Sequence, residues 1–526
     1  MSTTWLAAAD PATAWAHRPW TDFAHAPDRE RTLAILPVYG FADHGLGLPL
    51  DAEEIAGSAL LASASSLAAN AAIPLRILPP LRFSLAPYPS TFFGIDPETA
   101  HDHLREIAAS VRAAGLTKLV FFVTSPWHEE FIDAASRDTR VDLGLQTFVI
   151  NLSGLALDFH PASDRRAHLQ AIVAQLLGTA PAASSLPADI ADATFRPGNF
   201  RQPSPLSPDT SLDGTALLQS AAQHLARLLA EIDARASLGR TDHRSPTSLP
   251  PTPPSPTLSS SPTLSSSANS ALFPAAYRSR YLPAFTRDAL DSLPDKARTL
   301  VIIPTGAIEQ HGHHLPVGVD AILGQAWLAH TLPKLPATAR VLVAPPITFG
   351  KSNEHTGFPG TVTVSAKTLR RLLLALATQL HALGFRHLAL LNTHGGNSAV
   401  LVYTLREIQT TLGLRAGMLN FPFKPETSRQ EAEYGFHGGE WETSLMLGCA
   451  PELVHMDKSL CEYPARLDDP GELRPENAPA IFSWVTSDIS KTGVMGDAPA
   501  ATREKGLHWL AAASTALARR IEELLP

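Results

Sequence analysis

Short apolar runs alternate along this chain with stretches whose apolar residues recur every three or four positions. TLVIIP at 299–304 precedes the helical pattern AILGQAWLAHTL at 321–332. The run RVLVAPP at 340–346, a helical pattern over 367–383 and the run HLALLN at 387–392 follow. Four to six consecutive apolar residues suit a buried strand, whereas the 3.6-residue period suits a helix. Their alternation predicts an α/β fold of three layers, a mostly parallel sheet with helices on both faces. In such sheets functional residues gather where strands end in loops.

The pattern occurs twice. LAILPVYGFADHGLGLPLDAE at 33–53 parallels LVIIPTGAIEQHGHHLPVGVD at 300–320. RILPPLRFS at 76–84 parallels VLVAPPITFG at 341–350, and 101–122 parallels 367–391. Each half ends in a long amphipathic pattern, at 217–232 and 507–525. Four matches in one order predict a duplicated domain, with a period too long for a solenoid. Between the copies, 241–270 is dominated by Ser, Pro and Thr. Such a segment buries too little to offset its ordering entropy. The expected organisation is a first domain at 1–235, a flexible linker at 236–272 and a second domain at 273–526.

Composition narrows the function. Hydrophobic residues make up 44% of the 526 positions and charged residues 17%, a core-forming balance. Net charge is −8, from 42 basic and 50 acidic residues, which argues against nucleic-acid binding. No apolar run is long enough for a membrane span, and the N-terminus lacks the pattern of a signal peptide. Two cysteines, Cys449 and Cys461, exclude a disulfide scaffold or a Cys-rich zinc fold. A cytoplasmic location is the expectation.

Three polar clusters follow strand-like runs in the second half. The first is Glu309-Gln310-His311-Gly312-His313-His314, with Asp320 behind it. Glu309 and His311, two apart, point the same way on extended backbone. Carboxylate plus imidazole suits Zn, Mn or Fe(II). Read alone, the cluster equally fits a polar loop with Asp320 capping the next helix. The second is Asn392-Thr393-His394-Gly395-Gly396-Asn397, whose glycines allow a tight turn. The third, His437-Gly438-Gly439-Glu440-Trp441-Glu442-Thr443-Ser444, opens a helix. There Glu442 suits a metal or the helix dipole, and His437 suits proton transfer. A polar loop from Lys351 to Thr361 reads as a substrate-contacting loop or a long turn, and Trp441 and Phe358 as packing residues.

GAIEQHGHHLPVGVD, FGKSNEHTGFPGTVTVS, LNTHGGN and HGGEWETSLML resemble the creatininase (creatinine amidohydrolase) family, as does the tail SKTGVMGDAPAATREKG. The resemblance covers about 276–526. It implies an α/β metallohydrolase, using two divalent ions (Zn, Mn or Fe) to cleave a C–N bond in a cyclic or linear small-molecule amide. It makes Glu309, His311, Asp320 and His394 the metal ligands, with Asp320 bridging, and His437 the acid/base group. It also implies homo-oligomers, so the two halves here are expected to pack as a pseudo-dimer. Ser352, His355 and Asn397 are taken as substrate contacts. In creatininases proper a Glu two residues after the motif histidine is a further ligand. Gly396 stands at that position, and Glu442 is the candidate replacement, catalytic as well as metal-binding. The tryptophan ahead of the last motif histidine is unmatched in QEAEYGFH. Both departures argue against creatinine itself as the substrate. A non-catalytic scaffold with a structural metal is the competing reading.

The first half keeps the scaffold pattern and loses the chemistry. Ala42 stands at the position of Glu309, His44 at His311, Glu53 at Asp320 and Ser125 at His394. No HGGEWETS counterpart occurs in 1–235. The expectation is a degenerate, metal-free copy.

Overall fold

The computed structural model describes residues 12–85, 88, 90–163, 165–179, 209, 211–235, 275–419, 423–463, 473–474, 476 and 480–526. The linker expected at 236–272 lies outside them.

In the first half, β1 (Leu33–Tyr39), α1 (Ala52–Asn70), β2 (Leu75–Ile77), α2 (Pro97–Ala113), β3 (Lys118–Val123), α3 (Glu129–Leu143) and β4 (Gln146–Asn151) follow in order. Helices α4 (Arg166–Leu177) and α5 (Gly214–Ala234) complete it. The strands run in the order β2-β1-β3-β4, every pairing parallel. The second half repeats this with β5 (Leu300–Thr305), α6 (Val319–Thr331), β6 (Val341–Val343), α7 (Ala366–Ala382), β7 (His387–Asn392), α8 (Ser398–Leu412) and β8 (Arg415–Met418). A short α9 (Arg429–Tyr434), then α10 (Glu440–Cys449) and α11 (Arg503–Leu524), close the chain. Its order, β6-β5-β7-β8, is the same topology, again all parallel. Register is shared too. Leu33 pairs Leu75 and Lys118, and Leu300 pairs Val341 and His387. The expected fold, an α/β unit with a parallel sheet flanked by helices and present twice, is what the chain adopts.

Side-chain alternation explains the layering. On β1, Leu33, Ile35 and Tyr39 join one core with α1, α4 and α5. Ala34, Leu36 and Val38 face the other way, into a core continuous with the second half. Helices α2 and α7 meet across that shared core. Each starts on a side-chain cap: Asp96 accepts from Thr99 N–H, and Ser365 from Thr368 N–H. Polar bonds also cross between the halves, including Ser110 Oγ to Thr363 N–H at 3.2 Å and Glu106 to Ser365 N–H at 2.8 Å.

The halves also exchange arms. Residues 14–18 bridge to Ile77 of their own sheet, then cross over. There Ala16 and Arg18 carbonyls accept from Gly318 and Val317 N–H at 2.9 and 2.8 Å. Tyr281 bridges to Val343, and Pro283 and Phe285 accept from Asp51 and Leu50 N–H at 2.9 and 3.0 Å. The two exchanges are equivalent, as expected of two similar subunits packed as a pair. The first arm holds the loops that carry the second half's polar clusters. Buried Trp15 donates Nε1–H to Gly360 O at 2.8 Å, and Trp20 packs edge-on against His313 and Phe358. No helix among the described residues is long and apolar enough to cross a membrane.

Candidate metal centre

The three polar clusters converge past the carboxyl ends of β5 and β7. After β5 the chain stays extended, and Ile308 bridges to Val362 while Glu309 N–H donates to Val317 O at 2.8 Å. This fold-back brings Asp320 to Glu309 and His311. Asp320 lies in the first turn of α6, one residue past the Gly318–Val319 start, so it is not the helix cap. Thr393 Oγ donates to the Asp320 carbonyl at 2.8 Å, joining the β7 loop to α6.

Four residues expected as ligands are buried together, each at most 4% exposed. His394 Nδ1 lies 3.0 Å from Glu309 Oε1 and 3.5 Å from Asp320 Oδ2. His311 Nε2 lies 3.5 Å from Asp320 Oδ1, 3.7 Å from Glu442 Oε2 and 3.9 Å from Glu309 Oε1. Two donor sets, Glu309–Asp320–His394 and His311–Asp320–Glu442, therefore share Asp320.

Outer contacts fix which ring nitrogen faces the cluster. His311 Nδ1 lies 3.0 Å from the Glu309 carbonyl and carries the proton there, leaving Nε2 as a lone-pair donor. His394 Nε2 is engaged by Lys351 O at 2.9 Å and Ser352 Oγ at 3.1 Å, so Nδ1 faces the carboxylates. His437 Nε2 donates to Gln310 O at 2.7 Å, and Nδ1 points to Glu309 Oε1 at 3.8 Å. The rings of His311 and His355 flank that of His437, with centroids 4.2 and 4.4 Å away.

Glu309 Oε2, His311 Nε2 and Asp320 Oδ2 are buried without a hydrogen-bond partner. Buried polar atoms are ordinarily paired, and unpaired ones cost free energy. Lone pairs on two carboxylates and an imidazole, aimed at one another, fit divalent cations. Burial favours the neutral Asp320 carboxyl, and the nearby Glu309 carboxylate pushes its pKa further up. Burial opposes the charged form of Glu309, but His394 and His355 outweigh it and hold its pKa well down. Burial lowers His394 too, yet Glu309 and Asp320 overcome this and raise it to about 10. Burial and His311 push His437 below its ordinary 6.5.

Other expected residues take different tasks. Asn397 is fully buried; its Oδ1 accepts from Lys351 N–H at 2.9 Å and its Nδ2 donates to Gly306 O at 3.0 Å. Both ends of its amide are engaged in tying loops. Ser352, also fully buried, places its Oγ 3.1 Å from His394 Nε2. His355 stands at the cluster, its Nε2 3.6 Å from Glu309 Oε2 and its Nδ1 2.7 Å from Thr486 Oγ. Glu442 accepts from Gly438 N–H at 2.6 Å and closes the second donor set. Trp441 packs among Trp327, Phe423 and Trp509.

Three participants carry no isolated signal. Gln310 donates both amide hydrogens, to His355 Nδ1 at 2.9 Å and Gly493 O at 3.1 Å, while its backbone carbonyl accepts from His437. Thr486 comes from a distant segment. Glu354 lies 3.7 Å from His394 Nε2.

A parallel sheet with a carboxylate–imidazole cluster beyond its strand ends defines an α/β protein with a candidate metal centre. The family model for creatininase (creatinine amidohydrolase) matches residues 16–188 and 284–521, and the chain belongs to that family. It is 31% identical over 229 residues to the mycofactocin precursor peptide peptidase of Mycolicibacterium smegmatis, covering 43% of this chain and 86% of that one. It is 31% identical over 249 residues to the creatinine amidohydrolase of Pseudomonas putida, covering 43% and 90%. A solved structure described as "Creatininase Mn" aligns with 47% of this chain and 99% of its own, at 26% identity and a TM-score of 0.39.

Proposed function

We propose that the second half is a metal-dependent amidohydrolase acting on a C–N bond in a small cyclic or linear amide. One observation carries this: three unpartnered, buried donor atoms on Glu309, His311 and Asp320 meet beside His394 and the unengaged Nδ1 of His437. Divalent ions held there by Glu309, His311, Asp320, His394 and Glu442 would acidify water and polarise an amide carbonyl.

The protein's own groups supply the proton traffic. His437 is neutral at pH 7 because burial and His311 lower its pKa. Its Nε2 is committed to Gln310 O, so Nδ1 takes the proton from the attacking water. The same atom returns it to the departing nitrogen, which is a poor leaving group until protonated. Gln310 and the flanking rings of His311 and His355 keep that imidazole in line.

Both a peptidase and a creatinine amidohydrolase stand among the relatives, which supports C–N hydrolysis as the reaction class. The test is hydrolysis of a panel of formamides, lactams, short peptides and creatinine with added Mn or Zn. Turnover is expected on at least one class, and loss of it in His311→Ala and His437→Ala. Activity indifferent to both substitutions would favour a scaffold with a structural metal.

A further inference from the structure

Resting on the metal-centre reading, we infer that Glu354 is a further carboxylate donor to that centre, delivered to the place a side chain on residue 396 would take.

Gly396 shows the exchange of space. A Cβ there would lie 2.1 Å from Glu354 Oε1, 2.5 Å from His394 Nε2 and 2.6 Å from Lys351 O. No heavy atom approaches a Cβ at the neighbouring Gly395 within 4 Å, so the crowding belongs to one position. Contacts under 3.0 Å onto backbone cannot be relieved by a side-chain shift. Glycine is therefore required at 396, and Glu354 Oε1 lies in the room it leaves.

The chain holds Glu354 in this pose. It sits in a single helical turn, Asn353–His355, immediately before the buried ring of His355. Thr486 Oγ donates to its carbonyl at 3.1 Å. Lys351 Nζ lies 3.4 Å from Oε2, which leaves Oε1 facing His394. The side chain is 14% exposed, so the carboxylate stands at the mouth of the cluster, not in its floor.

Its partners point to a cation. Glu354, Glu309 and His355 each bring one donor atom within 4.8 Å of the others. Glu309 Oε2, buried and unpartnered, belongs to this neighbourhood, 3.6 Å from His355 Nε2. Two carboxylates and one imidazole suit a divalent ion such as Zn or Mn.

The experiment is titration calorimetry of the chelator-treated full-length protein with Mn²⁺ and with Zn²⁺, with ions per chain counted by elemental analysis. Glu354→Gln keeps the shape and removes the charge, and is expected to weaken binding on the order of 10- to 100-fold or to lose one ion. Gly396→Glu is expected to bind poorly too, because its Cβ meets Glu354, His394 and the Lys351 carbonyl. Wild-type affinity and stoichiometry in Glu354→Gln would overturn the inference and leave the metal centre standing. A wild-type chain that takes up neither metal would remove both.

Discussion

The two halves are one fold with two fates, and the contrast isolates what chemistry adds to a scaffold. Strand order, register and arm exchange agree between them. At the strand ends they part. In the second half, Asp320 stands among His311, His394 and Glu442 and joins two donor sets. In the first, Glu53 fills the equivalent place, and its Oε2 is consumed by Gly40 N–H at 2.7 Å and Thr124 Oγ at 3.2 Å. Its Oε1 meets His44 Nε2 at 3.1 Å, the one residual pair of the ligand set. Ala42 and Ser125 supply no ligand. Among the described residues, every group of three or more donors close enough to hold an ion lies in the second half. The first half's arm clasps the second half's loops through Ala16, Arg18, Trp15 and Trp20.

The largest difference should come from substituting equivalent carboxylates. Asp320→Ala is expected to abolish activity and strip the bound ions, because both donor sets share that residue. Glu53→Ala should leave metal content unchanged and cost only stability. Elemental analysis of the two variants separates these outcomes. Next in size, His437→Ala is expected to lower kcat roughly 100- to 10,000-fold, the range for losing a general acid–base group, while ion content stays at the wild-type value. Loss of ions from His437→Ala would recast that residue as a ligand.

The mechanical link is the next test. Trp15→Ala removes a fully buried indole and its bond to Gly360, and should cost about 3–5 kcal/mol in denaturant unfolding. If the arm positions the catalytic loops, kcat/KM should also fall in the fraction still folded, with unchanged activity counting against that link.

Acid should act on the first half more gently. Burial lowers His103 to about 3, and lowers His17 and His128 to about 4. Unfolding lets these rings protonate at about 6.5. Their neutral burial is therefore fully compatible with folding above that pH. Between about 6.5 and 4 the unfolded chain binds more protons, so stability falls as pH falls. The slope should approach about 1.4 kcal/mol per pH unit for each ring. His103→Phe should flatten the dependence of the unfolding midpoint on pH; an unaltered slope would contradict it.

Much of this contrast was legible in the chain. Apolar runs of strand length and their repetition expose the duplication, because register and layering depend on local alternation. Glu309, His311, Asp320 and His394 follow β5 and β7 or open α6, where sequence position and spatial position nearly coincide. Glu354 was not legible as a donor, because a turn residue between Asn353 and His355 acquires its role only when the Gly396 loop folds over it. The bonds that Asn397 and Ser352 make to Lys351, Gly306 and His394 were not legible, because their partners lie on other loops. Trp15 and Trp20 belong to a segment without helical or strand periodicity, and their purpose lies hundreds of residues away.

The most direct measurement is ions per chain in the full-length protein reconstituted with Mn or Zn, comparing wild type, His311→Ala and His44→Ala. The account predicts equal content in wild type and His44→Ala and a marked loss in His311→Ala. Ions retained by His311→Ala, or released by His44→Ala, would contradict it.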